Sequence, residues 1–194
     1  MAFMSHADRD KWNQRYLEGA FADRTHPSAL LAEWIDKLPG GSALDVACGA
    51  GRNTLFLARN GYEVTGVDVS KIGLERAAAS AQRENLDVTW IERDLDDGLG
   101  LSGPFDVVMV FRYFNLQLVG QLPDLLAPGG ILIVEEHLAT EEEDVAGPTN
   151  REFCAQPGEL RAHIDGLEVL LDTEGIVIDP DGRKAASARF IGQR

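Results

Sequence analysis

The chain is short of positive charge. Its 194 residues carry 32 Asp and Glu against 18 Lys and Arg, a formal net charge of −14. Nucleic-acid binding shows as clustered Lys and Arg against the phosphate backbone, so no tRNA, rRNA or DNA partner is expected. Cysteine is nearly absent. Cys48 and Cys154 give neither a disulfide framework nor a metal-ligand spacing, so no metal site is expected and a reducing cytoplasm is the expected compartment. No apolar run approaches the ~20 residues that span a bilayer. The opening residues lack a charged segment followed by an apolar one, so they do not read as a secretory signal, and no membrane partner is expected. Internal repeats, low-complexity tracts and long linkers are also missing. These absences leave an acidic globular chain of one domain, with 44% apolar residues for its core.

What is present alternates. Asp8 to Glu18 reads as a helix with Trp12, Tyr16 and Leu17 on one face. Pro27 suits the first turn of a second helix carrying Leu30, Leu31, Trp34, Ile35 and Leu38, which Pro39-Gly40-Gly41 stops. A strand follows over 43–47, a helix from Arg52 to Asn60 capped by Gly61, and a strand over 62–67. Ser70 is an N-cap for a helix running to about Glu84. Strands over 88–92 and 105–111 come next, then a helix over 116–126 and a buried strand over 131–134 after Pro128-Gly129-Gly130. This rhythm predicts an α/β fold with a parallel sheet and helices on both faces. The tail departs from it: strands over 167–171 and 184–191, joined through Asp179-Pro180-Asp181-Gly182, predict a closing hairpin.

Ligands of such sheets bind beyond the C-terminal strand ends. Those ends carry Ala47-Cys48-Gly49, Asp68-Val69, Asp94-Leu95, Phe111-Arg112 and Glu135-Glu136-His137. The run Asp45 to Asn53 sends a buried strand into a glycine loop, where Gly49 and Gly51 let backbone approach a ligand and the next helix offers free N–H groups. Asp68, 19 residues after Gly49, is placed to accept hydrogen bonds from ribose hydroxyls. A nicotinamide fingerprint wants a third glycine where this chain has Thr54. Asp45, four residues before the loop, suits a ligand amino group rather than a pyrophosphate. Asp94 followed by apolar Leu95 suits an adenine amine and face. An amino-acid end, a ribose and an adenine together describe S-adenosyl-L-methionine.

At these residues the chain resembles the class I S-adenosylmethionine-dependent methyltransferases. Asp45-Val46-Ala47-Cys48-Gly49-Ala50-Gly51 is similar to their first motif, Val67-Asp68-Val69-Ser70 to their second and Arg93-Asp94-Leu95 to their adenine segment. Leu126-Ala127-Pro128-Gly129-Gly130 resembles the turn before their fifth strand. Within the class, Trp12-Asn13-Gln14-Arg15-Tyr16, Gly51-Arg52-Asn53 and Gln156-Pro157-Gly158-Glu159-Leu160 resemble the small tellurite-resistance (TehB-like) group. The resemblance implies a Rossmann-like, doubly wound seven-stranded sheet in the order 3-2-1-4-5-7-6 with the last strand antiparallel. It also implies that Tyr16 lies over the cofactor's amino-acid end. The expected organisation is a helical cap (1–40), a cofactor-binding core (41–137), an acceptor-side lid (138–166) and a C-terminal hairpin (167–194).

The expected cofactor-binding residues are Trp12, Tyr16, Asp45, Ala47, Gly49, Gly51, Arg52, Asp68, Val69, Asp94, Leu95 and Phe111. Trp12 and Tyr16 could instead simply pin the first helix, and Arg52 could pair with a surface acid. Arg112, Tyr113 and His137 are the expected substrate contacts, with His137 or Tyr113 as general base for a neutral hydroxyl or amine. An oxyanion or thiolate acceptor would need no base, and Arg112 would steer it. The expected reaction is direct in-line methyl transfer to a small-molecule acceptor, by a monomer or homodimer. The rivals are a non-catalytic S-adenosylmethionine-binding module and a nicotinamide-dependent oxidoreductase.

Overall fold

The computed structural model describes residues 6–194. Its seven strands form one sheet in the order β3-β2-β1-β4-β5-β7-β6, the order expected. In chain order the elements are α1 (His6–Leu17), α2 (Ala29–Trp34), β1 (Ser42–Val46), α3 (Arg52–Arg59), β2 (Glu63–Asp68), α4 (Lys71–Arg83) and β3 (Val88–Glu92). They continue with β4 (Phe105–Phe111), α5 (Leu116–Val119), β5 (Leu126–His137), α6 (Glu159–Ala162), β6 (Glu168–Ile178) and β7 (Lys184–Gln193). No helix among the described residues is long and apolar enough to cross a membrane. The described residues divide into two compact units, one of residues 6–27 and 40–102, the other of 28–39 and 103–194.

In the first unit β1, β2 and β3 pair in parallel. Ala43, Leu44 and Val46 of β1 and Val67 of β2 are fully buried, as near-continuous apolar strands covered on both faces require. Ser70 caps α4 as expected, its hydroxyl accepting from the Gly73 N–H at 3.1 Å. Asn13 reaches across from α1 to the same helix start. Its side-chain oxygen accepts from Ser70 Oγ at 2.8 Å and from the Ile72 N–H at 3.2 Å. At the other end of α1, Arg76 donates to the Tyr16 and Ala20 carbonyls at 3.3 and 2.9 Å. Helix α1 is therefore docked on α4 by polar groups at both ends, with Tyr16 buried between them.

In the second unit β4 and β5 pair in parallel, while β5–β7 and β6–β7 are antiparallel. Pro27 stands just before the N-cap Ser28 of α2 rather than inside the helix, and the helix ends at Trp34 with a 3-10 turn over Ile35–Lys37. The helix expected over 116–126 is broken into α5 and a 3-10 turn over Leu122–Leu125. Gly120 and Pro123 fall at the break, and Pro123 cannot supply the N–H that an α-helix needs there. The hairpin is longer than its pattern suggested. Residues 172–178 of β6 extend the strand with both faces largely exposed, so no apolar alternation marks them.

Close packing explains Gly66. In the register of β2 with β3 it lies opposite Trp90. A Cβ at position 66 would stand 2.8 Å from the Trp90 ring and 3.0 Å from Cys48 Sγ. The indole fills the space that the glycine leaves. Gly66→Ala is expected to lower stability by ~1–3 kcal/mol through overpacking. Denaturant unfolding checks it: a lower midpoint at unchanged slope is the expected result.

Candidate functional site

The first unit assembles the glycine loop. Between β1 and α3 the backbone turns through three left-handed residues, Ala47 (φ 56°), Gly49 (φ 57°) and Gly51 (φ 80°). Glycine adopts such angles without the steric cost of a side chain. At Gly49 there is a second reason, since a Cβ there would meet the Tyr16 hydroxyl. Gly51 sits just before α3 and would press a side chain into Ala77 and Trp90.

Asp68 holds the loop. One of its oxygens accepts from the Gly49 N–H at 2.8 Å and the other from the Ser70 N–H at 2.8 Å. Burial raises its pKa, while these backbone N–H groups favour the charged form. Carboxylate oxygens offer about four lone-pair sites between them, so acceptor capacity remains after two bonds. Asp45 is buried in the strand below and accepts from Thr54 Oγ1 at 2.6 Å. Burial pushes its carboxyl up to about 7, against the Thr54 hydrogen bond and the nearby Arg52 charge, which lower it.

Tyr16 covers the loop. Its ring lies against both Gly49 and Gly73, and burial, followed by the Asp68 charge, raises its phenol pKa. Trp12 stacks on Tyr16 with ring centroids 6.2 Å apart, and the Arg15 guanidinium sits 4.7 Å over the Trp12 ring. Arg52 donates to the His26 carbonyl at 3.3 Å. Cys48 is buried, and burial raises its thiol pKa, an environment opposed to nucleophilicity. Asp94 stands at the start of a 3-10 turn and accepts from the Asp96 N–H at 3.1 Å, with Leu95 buried beside it. Val69 is buried next to Asp68.

The remaining expected site residues, Phe111, Arg112, Tyr113 and His137, belong to the second unit. Phe111 is buried at the end of β4, opposite Glu135. Arg112 adopts a left-handed conformation (φ 59°), uncommon for a residue with a side chain. Its guanidinium is engaged on three sides: Nε and Nη2 donate to Glu135 Oε1 at 2.9 and 2.8 Å, Nη2 also reaches Asp179 at 3.1 Å, and Nη1 lies 3.2 Å from His137 Nδ1. Arg189 adds an ion pair to the other Glu135 oxygen at 2.7 Å. Glu135 is 1% exposed, so two arginines balance one buried carboxylate.

This arrangement bears on the chemistry available. Arginine has no acceptor atom, so Arg112 must donate to His137 Nδ1, and the neutral imidazole then carries its proton on Nε2. Such a histidine has no free lone pair with which to take a proton. Four residues of this arrangement carry no assigned role in the sequence reading. Thr54 was read only as the missing third glycine; its signal was a hydroxyl in the first turn after the loop. Asn13 lay inside a motif whose aromatic residues drew the attention. Glu135 and Glu136 were visible as two adjacent acids ending a buried apolar strand, an unusual place for charge.

Among the described residues no group of three His, Cys, Asp or Glu could hold a metal ion. Residues 43–130 match the sequence model of a family described as a methyltransferase domain. The putative methyltransferase YqeM of Bacillus subtilis is 27% identical over 143 residues, covering 69% of this chain and 51% of YqeM. Ribosomal protein L11 methyltransferase of Burkholderia mallei is 31% identical over 134 residues, covering 66% of this chain and 43% of the relative. The chain thus spans about half the length of the curated relatives it matches. Among solved structures, TehB from Haemophilus influenzae superposes with a TM-score of 0.72 at 20% identity, covering 84% of this chain and 61% of TehB. Over residues 43–130 the chain is thus similar to methyltransferase domains, and its sheet has the strand order that the sequence resemblance implies.

Two outcomes are expected. A folded state that prefers Asp45 protonated draws full stability from it below about pH 4 and loses that contribution as pH rises through about 7. Asp45→Asn should flatten this decline, leaving the variant more stable than wild type at pH 8 by on the order of 1–3 kcal/mol, as read from denaturation across that pH range. Glu135→Ala should cost ~3–5 kcal/mol by leaving two arginines without their shared carboxylate, measurable as a lowered denaturation midpoint.

Proposed function

We propose that the chain is a methyltransferase that takes its methyl group from S-adenosylmethionine and passes it in line to a small-molecule acceptor. The observation that carries this reading is the glycine loop set between two buried acids, Asp45 and Asp68. The residues fit the cofactor. Asp68 has lone pairs left for ribose hydroxyls after bonding the Gly49 and Ser70 N–H groups. Asp45, oriented by Thr54, offers a carboxylate to the amino group of the methionine end. Leu95 and Asp94 suit the adenine, and Tyr16 shields the loop from water. When bound, S-adenosylmethionine supplies a methyl group already activated on a sulfonium.

The protein's share is then positioning and exclusion of water, which can supply ~7–11 kcal/mol of the barrier. Docking of α1 on α4 through Asn13 and Arg76 gives the shielding tyrosine a fixed seat. Acceptor contacts are assigned to the ends of β4 and β5, where Tyr113 and His137 stand. A small acceptor is supported by the net charge of −14, which repels a nucleic-acid substrate. It is also supported by the short cover between β5 and β6, which holds only a 3-10 turn and the four residues of α6. The relative named for ribosomal protein L11 marks a protein acceptor as the rival outcome of the test.

Calorimetry with S-adenosylhomocysteine and NAD tests the cofactor; binding of the first and not the second is expected. Asp68→Ala should weaken S-adenosylhomocysteine binding by ~1–3 kcal/mol, since ribose hydroxyls lose a charged acceptor and the loop loses its tie. Unchanged affinity in a folded variant removes Asp68 from the site.

A further inference from the structure

Asp68 holds two points of the first unit, and helix α1 touches the same two. One Asp68 oxygen accepts from the Gly49 N–H and the other from the Ser70 N–H, each at 2.8 Å. On α1, Tyr16 sets its hydroxyl against Gly49 and its ring against Gly73. One helical turn earlier, on the same face, the Asn13 side-chain oxygen accepts from the Ser70 hydroxyl at 2.8 Å. The spacing of Asn13 and Tyr16 on α1 thus matches the spacing of Ser70 and Gly49 that the carboxylate fixes. All of these residues belong to the first unit.

Asn13 also caps α4 from outside that helix. The Ser70 hydroxyl accepts from the Gly73 N–H at 3.1 Å, and the Asn13 oxygen accepts from the Ile72 N–H at 3.2 Å. Two N–H groups that the first turn of α4 cannot pair are met in this way, one of them by a residue 59 positions away. Beyond these contacts α1 is held by Arg76 at its C-terminal end and by the rings of Trp12 and Phe21 beside Tyr16. Among its described side chains Tyr16 alone is buried, and Leu17 is exposed. A helix of 12 residues is marginal by itself. With so little buried apolar surface, α1 belongs to the part of the fold that opens at least cost. Gly19 and Phe21, both left-handed, follow it and supply a joint.

We propose that Asn13 is a positioning residue that couples the seating of α1 to occupation of Asp68 by the cofactor's ribose. This rests on the methyltransferase reading above. A ribose that shares the Asp68 carboxylate is bound best while Gly49 and Ser70 stand at the spacing that the carboxylate sets. Seated α1 needs that same spacing, so each event favours the other. The coupling is reciprocal: what the cofactor adds to the seating of α1, the seating of α1 adds to cofactor affinity. Asn13 transmits the effect because its oxygen meets the residue whose N–H holds Asp68.

The test compares wild type with Asn13→Leu, Asn13→Asp, Asp68→Asn and the double variant Asn13→Leu with Asp68→Asn. Calorimetry measures S-adenosylhomocysteine affinity, and hydrogen exchange with and without S-adenosylhomocysteine follows the amides of α1. In wild type the ligand should slow exchange in α1. Asn13→Leu should bind on the order of 10-fold more weakly, within the range of ordinary coupling between sites, and the ligand should protect its α1 less. Asn13→Asp keeps an acceptor for the Ser70 hydroxyl and the Ile72 N–H and should recover most of the affinity. The double variant should bind no more weakly than Asp68→Asn, an interaction between the two changes that a merely structural asparagine would not produce. The proposal is overturned if wild type binds S-adenosylhomocysteine and exchange in α1 stays the same, a result that does not need any variant to fold. It is also overturned if Asn13→Leu binds as wild type does, or if the effects of the two changes simply add. Failure of wild type to bind S-adenosylhomocysteine sinks the parent reading and this inference with it, whereas binding without a response in α1 sinks this inference alone.

Discussion

The two hydrogen bonds of Asp68 organise the first unit. One reaches back 19 residues to Gly49 and the other forward two residues to Ser70. A single carboxylate thereby joins the end of β2 to the loop after β1 and to the start of α4. Ser70 in turn meets Asn13, which brings α1 to the same point. The backbone Gly49 N–H and the Asp68 carboxylate would each be costly to bury alone. Paired, they fix the left-handed loop between β1 and α3. The strength of such charge-assisted bonds explains why the arrangement tolerates a buried acid at the tip of a strand.

The four buried acids among the described residues are handled differently. Asp68 is met by backbone N–H groups, Asp45 by the Thr54 hydroxyl and Glu135 by two guanidinium groups, while Glu136 feels the Arg112 charge and the Tyr113 backbone N–H. This gradation follows their surroundings more than their depth, since all four are under 8% exposed. Where a partner is supplied from within the fold, the acid stabilises local structure.

Much of this was legible in the sequence. Period and punctuation placed β3 and β4 at their observed bounds and put Ser70 at its cap, because these signals depend on neighbours a few residues away. The loop and its two acids were legible for the same reason. What escaped depended on distance in the chain. Nothing near Arg112 announces Asp179, 67 residues on, and an arginine at a strand end looks equally like a ligand contact or an ion-pair partner. The outer part of β6 escaped because an exposed edge strand lacks the alternation that burial imposes. Helix α5 was overextended because periodicity continues across Gly120 and Pro123, although the backbone cannot.

Trp90 and Gly66 constrain each other across β2 and β3. The indole needs the missing side chain, and the glycine would leave a void without the indole. Enlarging one or shrinking the other alone passes through a poorer fold. Descendants of this sequence can therefore change the pair only together or in a compensated order. The two positions should drift as an epistatic unit, tying the evolutionary freedom of an outer strand to the neighbourhood of the glycine loop.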